Sequence, residues 1–405
     1  MPATKRILVV PESLPPVHNV AGRLTPKKRV RLQISTFDAA HGRPTVCMMK
    51  IGLSSNALKH SGGLERYAMD LVRGFTAAGL RLAFFARRFD MSVPESRMVE
   101  PHRINVSFLP GKLRDTWFSW RLRRARRAAK VDVLIGCNRV DSSEIAICGG
   151  THLGFLRAIG RTPTRSDHWQ IELERRQYEQ ARVIVAHSQL MHDELRELYA
   201  VPEAKIRVLC PPVDGARFAP VDAATRAALR RKFGFAEHEI VLLFPSSSHQ
   251  RKGLPLIEAA LRNSKLPVVL AVAGRPPERT SERVRYIGYV KEMEDGYRAA
   301  DFTILASKYE PFGLVGVESV MCGTPVIFPS SIGCCDAIAE HAKFVFTPDD
   351  EADLRSTLAR AVEARLAGSL PQPSGVARDA VLYDASVAGH VDALLALAQR
   401  IRVER

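Results

Sequence analysis

Short apolar segments alternate with helical segments of about 10–15 residues over most of the chain that follows Met48. Strands are predicted at 46–53, 81–86, 133–136, 145–148, 183–187, 206–210, 240–245, 267–273, 302–306, 325–328 and 344–346. Helices are predicted at 63–78, 115–129, 167–180, 189–199, 222–233, 254–263, 292–299, 314–322 and 351–367. Because alternating strands and helices are joined by crossover connections, the pattern predicts an α/β fold with parallel sheets.

A proline-rich break divides this pattern into two halves. The stretch CPPVDGARFAP, residues 210–220, contains three prolines and a glycine, which is typical of an interdomain linker. A chain of 405 residues is also too long for one ordinary core. We therefore predict two doubly wound, Rossmann-like domains, 46–212 and 213–378, facing across a cleft. Within residues 379–405 we predict a closing helix from about Ser386 to Arg402, capped by Asp384 or Ser386.

The first 45 residues differ in character from the rest of the chain. They contain six prolines and carry eight Lys/Arg against two Asp/Glu. No apolar segment of signal-peptide length follows Lys5 and Arg6, and the chain has no apolar run of about 18 residues. We interpret residues 1–45 as a disordered basic tail or an unused upstream start, since Met48–Ser55 itself begins like a domain.

Charge is distributed unevenly along the chain. The net charge of +16 divides into +6 for residues 1–45, +10 for residues 46–210 and zero for residues 211–405. The first half is therefore expected to face a membrane surface, a phosphorylated substrate or nucleic acid. The seven cysteines are scattered and odd in number, which favours free thiols in a reducing compartment over a disulfide framework.

Two loops that follow predicted strands are suited to phosphate. Gly62 and Gly63 precede a helix, where glycine lets backbone N–H groups approach a ligand and the helix dipole favours an anion. The alternative there is an ordinary strand-to-helix turn. Arg251, Lys252 and Gly253 lie at the start of another helix, where two cations favour a diphosphate. The alternative in this case is a solvated basic loop.

Residues 308–329, KYEPFGLVGVESVMCGTPVIFP, place two carboxylates eight residues apart. Pro311 and the glycines predict a loop that exposes N–H groups at a helix N-terminus, those of residues 312–314. Glu310 precedes this helix, and Glu318 lies inside it among apolar residues, where a carboxylate needs a partner. We interpret the stretch as a ligand-binding element; the alternative is a helix start with two solvated glutamates.

Two segments of the first half complete the set of candidates. In CGGTHLGFLRA, residues 148–158, His152 follows a strand and two glycines into the predicted cleft, or is only a packed loop histidine. The basic segment 112–130 carries large aromatic side chains, which suits a membrane interface. The alternative is a solvated helix whose aromatics join the core. The residues expected to face a membrane or acceptor are Trp117, Trp120, Arg121, Arg123, Arg124 and Arg127. No metal-ligand motif is present, so no metal or cofactor is expected.

Together these motifs resemble the family 4 retaining glycosyltransferases of GT-B fold, and among them the lipopolysaccharide core glucosyltransferases. The resemblance rests on the E-x7-E element from Glu310 to Glu318, on S-x-x-R-K-G at 248–253 and on the GGLER loop. It covers about residues 48–400. The chain departs from the family in the prolines Pro211–Pro212 and in the vicinal pair Cys334–Cys335.

The resemblance implies a role for each matched residue. Arg251 and Lys252 would bind the donor diphosphate as it leaves, Glu310 would contact the transferred sugar, and Glu318 would hold the ribose hydroxyls. His152 would lie near the reacting sugar. The remaining donor-binding residues implied are Gly62, Gly63, Gly253, Tyr289, Val290, Phe312, Gly313 and Leu314.

The resemblance also implies the reaction and its setting. The expected activity is metal-independent, retaining transfer of a hexose from a nucleotide sugar to a glycan or glycolipid acceptor in cell-envelope biosynthesis. The expected location is cytoplasmic, peripheral on the inner face of the cytoplasmic membrane, on an anionic surface and without nucleic acid. Two alternatives stay open: a sugar-nucleotide epimerase of the same fold, and a basic nucleic-acid-binding protein. The neutral second half argues against the latter.

Overall fold

The computed structural model describes residues 36–37, 44–45, 49–60, 62–262 and 264–404. It divides into two compact units, Met1–Met48 and Met49–Arg405. In the first unit, the two-residue strands β1 (Thr36–Phe37) and β2 (Pro44–Thr45) pair antiparallel. Apart from these strands, the tail or unused start predicted at residues 1–45 lies outside the described residues.

The second unit contains two parallel sheets. Strands of its first half are β3 (Ile51–Ser54), β4 (Ala57–Leu58), β5 (Ala83–Ala86), β6 (Arg88–Phe89), β7 (Glu100–Arg103), β8 (Val133–Gly136), β9 (Ile145–Cys148), β10 (Val183–Ala186) and β11 (Ile206–Val208). Strands of its second half are β12 (Ile240–Ser246), β13 (Val268–Gly274), β14 (Val284–Tyr286), β15 (Phe302–Ile304), β16 (Val326–Pro329) and β17 (Lys343–Phe346). The sheet orders are β11-β10-β9-β8-β3-β5-β7 and β14-β13-β12-β15-β16-β17, with β4 and β6 as a separate pair.

Helices connect the strands and cover both sheets. They are α1 (Gly63–Ala77), α2 (Glu95–Met98), α3 (Arg114–Ala128), α4 (His152–Ala158), α5 (Arg165–Gln180), α6 (Gln189–Tyr199), α7 (Ala223–Lys232), α8 (His249–Lys252), α9 (Leu254–Arg262), α10 (Met293–Ala299), α11 (Leu314–Met321), α12 (Glu351–Leu366), α13 (Pro373–Ala377) and α14 (Val387–Val403).

The α/β prediction with two Rossmann-like halves is confirmed. Strands β3, β5 and β8 are buried along their whole length, as expected for parallel strands covered on both faces. Neighbouring residues Phe84 and Phe85 of β5 pack into hydrophobic clusters on opposite faces of the sheet. The predicted domain limits at 212 and 378 stay predictions.

The elements that the sequence did not predict are short or lie at sheet edges. Strands β7 and β14 are the outermost strands of their sheets and are only partly buried, so they lack the apolar run of a central strand. Helices α4 and α8 span seven and four residues, in segments interpreted as loops. Arg251 and Lys252 therefore end α8 instead of opening the next helix.

The C-terminal helix returns to the first half of the unit. Ser386 caps α14 by accepting a hydrogen bond from the Gly389 amide at 3.0 Å. Helix α14 packs against α1 so closely that a Cβ on Gly74 would lie 2.6 Å from a methyl of Val391. The closing helix thus ties the end of the chain to the first sheet.

Candidate active site

The candidate residues lie in loops and short helices after the carboxyl ends of parallel strands. Gly62 and Gly63 follow β3, and His152 follows β9 in the first sheet. Arg251 and Lys252 follow β12, and Glu310 follows β15 in the second sheet. Ligands of doubly wound folds bind at this edge, because the loops there converge and helix N-termini point toward it.

Two cations converge on one carboxylate oxygen at the edge of the second sheet. Oε2 of Glu310 lies 3.4 Å from Nη1 of Arg251 and 3.3 Å from Nζ of Lys252. Backbone hydrogen bonds from Ala306 to Lys252 at 3.0 Å and from Lys308 to Arg251 at 3.3 Å fix α8 against the loop after β15. The three charged groups predicted from separate motifs therefore meet at one point.

Gly253 is required by the close packing of these two loops. Its φ is +80°, and a Cβ there would lie 2.0 Å from the carbonyl oxygen of Ala306. Only glycine meets both conditions without displacing the backbone. The structure thus gives Gly253 a packing reason, whereas its predicted contact with a donor stays a prediction.

Helix α11 begins with free N–H groups, as its sequence predicts. Gly313 precedes the helix at φ +88°, and a Cβ there would approach Ile332 to 2.9 Å. Within the part of the chain that the structure describes, the amides of Phe312, Gly313 and Leu314 donate to no protein acceptor. Cys334 packs beside this turn, where a Cβ on Gly316 would lie 2.6 Å from its Sγ. The unusual Cys334 thiol is therefore a buried packing element, and burial raises its pKa.

Glu318 is buried, and its partner comes from the other half of the chain. The residue is 2% exposed. One carboxylate oxygen pairs with Arg66 of α1, and the other accepts a hydrogen bond from the Tyr297 hydroxyl at 3.0 Å. Burial lowers the pKa of the Arg66 guanidinium, but the neighbouring Glu318 carboxylate raises it by more. The pKa of Arg66 is therefore raised overall. The sequence correctly predicted that Glu318 needs a partner, but Arg66 and Tyr297 were not foreseen.

A second connection joins the two halves through the residue before Glu310. The Tyr309 hydroxyl accepts a hydrogen bond from the Thr151 amide at 3.1 Å and donates to Oε2 of Glu194 at 2.9 Å. Oγ1 of Thr151 donates to the same Glu194 oxygen at 2.5 Å. Ser188 adds a hydrogen bond from its Oγ to the carbonyl of Pro311 at 2.6 Å. The contacts of Tyr309 with Thr151 and Glu194, and that of Ser188 with Pro311, were not predicted from the sequence, because each joins residues more than a hundred positions apart.

His152 is the first residue of α4 and is held from two sides. Its Nε2 lies 2.7 Å from Oδ1 of Asp167, and its backbone amide donates to Glu174 at 3.0 Å. Asp167 also pairs with Arg161 at 3.0 Å, and hydrogen bonds from Thr164 and then Arg161 hold its pKa well below the usual range. The histidine predicted from CGGTH is thus an oriented ring with its Nε2 engaged.

Comparisons with known proteins decide the family. Residues 61–217 match the family described as Glycosyltransferase Family 4, and residues 225–371 match Glycosyl transferases group 1. A probable transglycosylase of Burkholderia thailandensis is 71% identical over 358 residues, covering 88% of this chain and 99% of the relative. The chain belongs to the family 4 glycosyltransferases.

Solved structures show the same fold for this glycosyltransferase. WaaG, a glycosyltransferase involved in lipopolysaccharide biosynthesis, superposes with a TM-score of 0.69 at 17% identity, covering 87% of this chain and 98% of WaaG. HepE of Anabaena in complex with UDP-glucose superposes with a TM-score of 0.67 at 15% identity, covering 86% and 100%. These structures identify the GT-B fold. The comparisons give no support to the epimerase or nucleic-acid-binding alternatives.

The glycine loop of the glycosyltransferase is open where the family resemblance places a donor. Gly62 caps α1 in an extended conformation, without a side-chain cap. A Cβ on Gly63 would meet no atom within 4 Å, so the packing of the described chain does not require glycine there. Tyr289 is 82% exposed and Val290 is partly buried, both in the loop after β14. Their donor contacts stay predictions.

Helix α3 of the glycosyltransferase combines an exposed tryptophan, Trp120, with arginines and with Trp117, which is partly buried against a hydrophobic cluster of the first half. The rings of Trp117 and Trp120 lie 5.0 Å apart, and Trp120 is 40% exposed. The guanidinium of Arg124 lies 4.3 Å and that of Arg121 lies 5.8 Å from the centre of the Trp120 ring. These four side chains form the α3 aromatic face.

Arg123 and Arg127, the other two arginines predicted to face a membrane, lie on the same helix, and their membrane contact stays a prediction. Arg123 pairs with the buried Asp141, so one of its interactions is directed into the protein. Arg127 is exposed further along the helix, near residues that directly precede β9 and β10.

The described residues contain no group of three or more His, Cys, Asp or Glu side chains arranged to hold a metal. None of their helices is both long enough and apolar enough to cross a membrane.

Proposed function

We propose that this glycosyltransferase moves a sugar from a nucleotide-diphosphate sugar to a glycan or glycolipid acceptor with retention of configuration. The observation that carries the proposal is the convergence of Arg251, Lys252 and Glu310 beside the free N–H groups at the start of α11. Cations and amide dipoles preorganised around one point favour a substrate whose diphosphate gains charge as it leaves. The UDP-glucose complex of HepE, which has the same fold, supports the same donor class.

In the proposed reaction, the sugar–phosphate bond breaks and the released electron pair stays on the diphosphate. Arg251 and Lys252 stabilise the charge on the diphosphate. Glu310 binds hydroxyls of the sugar as the sugar separates from the diphosphate. The acceptor hydroxyl attacks from the face that the diphosphate leaves, and the leaving phosphate takes its proton. This reaction needs no metal ion, because Arg251 and Lys252 supply the positive charge that stabilises the leaving diphosphate.

Retention by this route requires no nucleophilic carboxylate. A double-displacement mechanism places its two carboxyl groups about 5 Å apart. Glu310 is engaged by two cations, which weakens it as a nucleophile. Product anomers analysed by proton NMR during the first turnovers distinguish retention from inversion, and activity that survives EDTA supports metal independence.

The transferred sugar and the ribose of the donor are assigned to different glutamates. Glu310 is proposed to face the sugar and Glu318 the ribose, as in the family resemblance. Since Arg66 and Tyr297 already bind the oxygens of Glu318, a ribose hydroxyl has to share this carboxylate with them. Tyr289 and Val290 are proposed to lie by the base, and Gly62 and Gly63 by the phosphates.

A donor panel with a matched variant tests the proposal. UDP-, GDP- and ADP-sugars are incubated with the enzyme and scored by nucleotide release and by thermal shift, with an unactivated oligosaccharide donor in parallel. At least one nucleotide sugar is expected to be turned over. Lys252→Ala should lower turnover by roughly 10²–10³-fold. Lys265→Ala, an exposed lysine of the same half, is the control. Turnover of the oligosaccharide alone, or full activity of Lys252→Ala, would refute the proposal.

The acceptor is proposed to be a phosphorylated glycolipid on the inner face of the cytoplasmic membrane. The support is the net charge of +10 on residues 46–210 together with the α3 aromatic face. Aromatic rings suit the interfacial region, and arginines suit anionic headgroups.

Sedimentation with vesicles of phosphatidylcholine, with and without phosphatidylglycerol, tests this part of the proposal. Binding is expected only to anionic vesicles and should weaken with salt. The double variant Trp120→Ala/Arg124→Gln should bind anionic vesicles more weakly than the wild type at the same salt concentration. Trp169→Ala, which removes a 53% exposed tryptophan of α5, should leave binding unchanged. Equal binding of both variants would argue against the α3 aromatic face.

A further inference from the structure

Tyr309 belongs to the second half of the chain by sequence and to the first half by packing. It lies in the loop that follows β15, directly before Glu310. Its side chain is 8% exposed and joins the hydrophobic cluster formed by β9, β10 and α6 of the first half. Its ring meets that of Phe155 in α4 edge to face, at 6.1 Å between centres. One residue of the sugar-facing loop is thus anchored in the opposite half.

Hydrogen bonds fix the position of the Tyr309 hydroxyl in the first half. The Tyr309 hydroxyl accepts from the Thr151 amide at 3.1 Å and donates to Glu194 at 2.9 Å. Thr151 caps α4, the helix that begins with His152. Burial raises the pKa of Glu194, while hydrogen bonds from Thr151 and Tyr309 oppose that increase. Without the hydroxyl, a buried carboxylate oxygen and a buried amide would each lose a partner.

The anchor connects the two sides of the candidate site over very short stretches of backbone. Tyr309 is one residue from Glu310, and Thr151 is one residue from His152. The neighbouring contact of Ser188 with the Pro311 carbonyl restrains the loop on the other side of Glu310. A shift of the Tyr309 hydroxyl therefore moves Glu310 relative to His152.

We propose that Tyr309 is a positioning residue, which sets the position of Glu310 against the first half through its hydroxyl. The proposal rests on the proposed function for its activity readout and on the hydrogen bonds alone for its structural readout. Tyr309 does not take part in the chemical step; it holds the loop that does.

Tyr309→Phe removes the hydroxyl and keeps the ring in its apolar cluster. Tyr178→Phe is the matched control, because Tyr178 is 4% exposed in the same cluster. Among the residues that the structure describes, the hydrogen-bond partner of its hydroxyl is Cys148 Sγ, at 3.7 Å, which also belongs to the first half. Since a displacement of about 1 Å can reduce turnover about 10²-fold, we expect kcat for sugar transfer to fall about 10- to 100-fold in Tyr309→Phe. KM for the donor should change less than about threefold, and Tyr178→Phe should retain kcat.

Hydrogen exchange supplies a readout independent of activity. Amides in 308–313 and in 151–158 should exchange faster together in Tyr309→Phe, and not in Tyr178→Phe. Glu194→Gln leaves Tyr309 intact and keeps an acceptor for its hydroxyl, so it should retain most of the protection and of kcat, and a loss like that expected for Tyr309→Phe would count against the proposal. This second variant also covers the case in which Tyr309→Phe does not fold.

The outcomes separate this proposal from the proposed function. Equal kcat and equal exchange in Tyr309→Phe and Tyr178→Phe would overturn the positioning role. A wild-type enzyme that turns over no nucleotide sugar would refute the proposed function, yet the exchange comparison would still decide whether Tyr309 connects the two halves.

Discussion

The pair formed by Arg66 and Glu318 offers the sharpest test of how the two halves hold together. Glu318 is 2% exposed, whereas the Arg66 side chain is 32% exposed and stacks 5.4 Å from the centre of the Phe218 ring. The two partners are therefore unequal, because the carboxylate is almost fully shielded from water and the guanidinium is partly exposed. Replacing either residue by methionine should reveal this asymmetry.

The magnitude follows from which charge is left unpaired. Removing one partner of a buried pair costs about 3–5 kcal/mol. Because Arg66 is partly exposed, screening reduces this, and we expect Arg66→Met to lower the free energy of unfolding by about 2–3 kcal/mol. Glu318→Met should cost less, about 1–2 kcal/mol, since the freed guanidinium can turn to water and the main loss is the acceptor of the buried Tyr297 hydroxyl. The double variant should be more stable than Arg66→Met alone, because it buries no charge.

Urea unfolding followed by far-UV circular dichroism measures all four proteins of this cycle. Arg157→Met is the control, since Arg157 and Glu197 form a pair whose side chains are 70% and 65% exposed. Its loss should change the free energy of unfolding by no more than about 1 kcal/mol. If the double variant is as unstable as the sum of the two single changes, then Glu318 and Arg66 do not depend on each other and the reasoning fails.

Three further predictions concern stability. Burial lowers the pKa of His187 to about 3, so the unfolded chain binds this proton first as pH falls. The free energy of unfolding should therefore decrease as the pH falls from 6.5 to 4. In His187→Gln this dependence on pH should be shallower by about 1.4 kcal/mol per pH unit, as measured by urea unfolding at a series of pH values. Asp301→Asn should cost about 3 kcal/mol by chemical unfolding, because Asp301 is 6% exposed and pairs with the buried Arg230 at 3.0 Å; an unchanged midpoint would refute this. Gly253→Ala should lower the melting temperature markedly, whereas Gly63→Ala should preserve it and weaken donor affinity in calorimetry; equal melting of the two would contradict the packing assigned to Gly253.

The fold was largely predictable because its signals are local. Each buried parallel strand is a short apolar run, and each helix has its own period and cap, so β8, β9 and α6 were predicted at their observed limits. The edge strand β7, with sequence EPHR, carries no such run and was missed. The chemical groups were predictable for the same reason, because Arg251, Lys252 and Glu310 lie just after strands whose carboxyl ends share one edge.

What the amino-acid sequence determined by itself is the alternation of elements and the charged groups at the strand ends, because both depend on neighbours within one element. Only the tertiary structure decided which groups meet. Arg66 and Glu318 are 252 positions apart, and Tyr309 and Thr151 are 158 apart. No periodicity extends over such distances, since these pairs form only where helices and loops of the two halves meet. The glutamate predicted to hold a ribose is therefore also part of the contact between the halves.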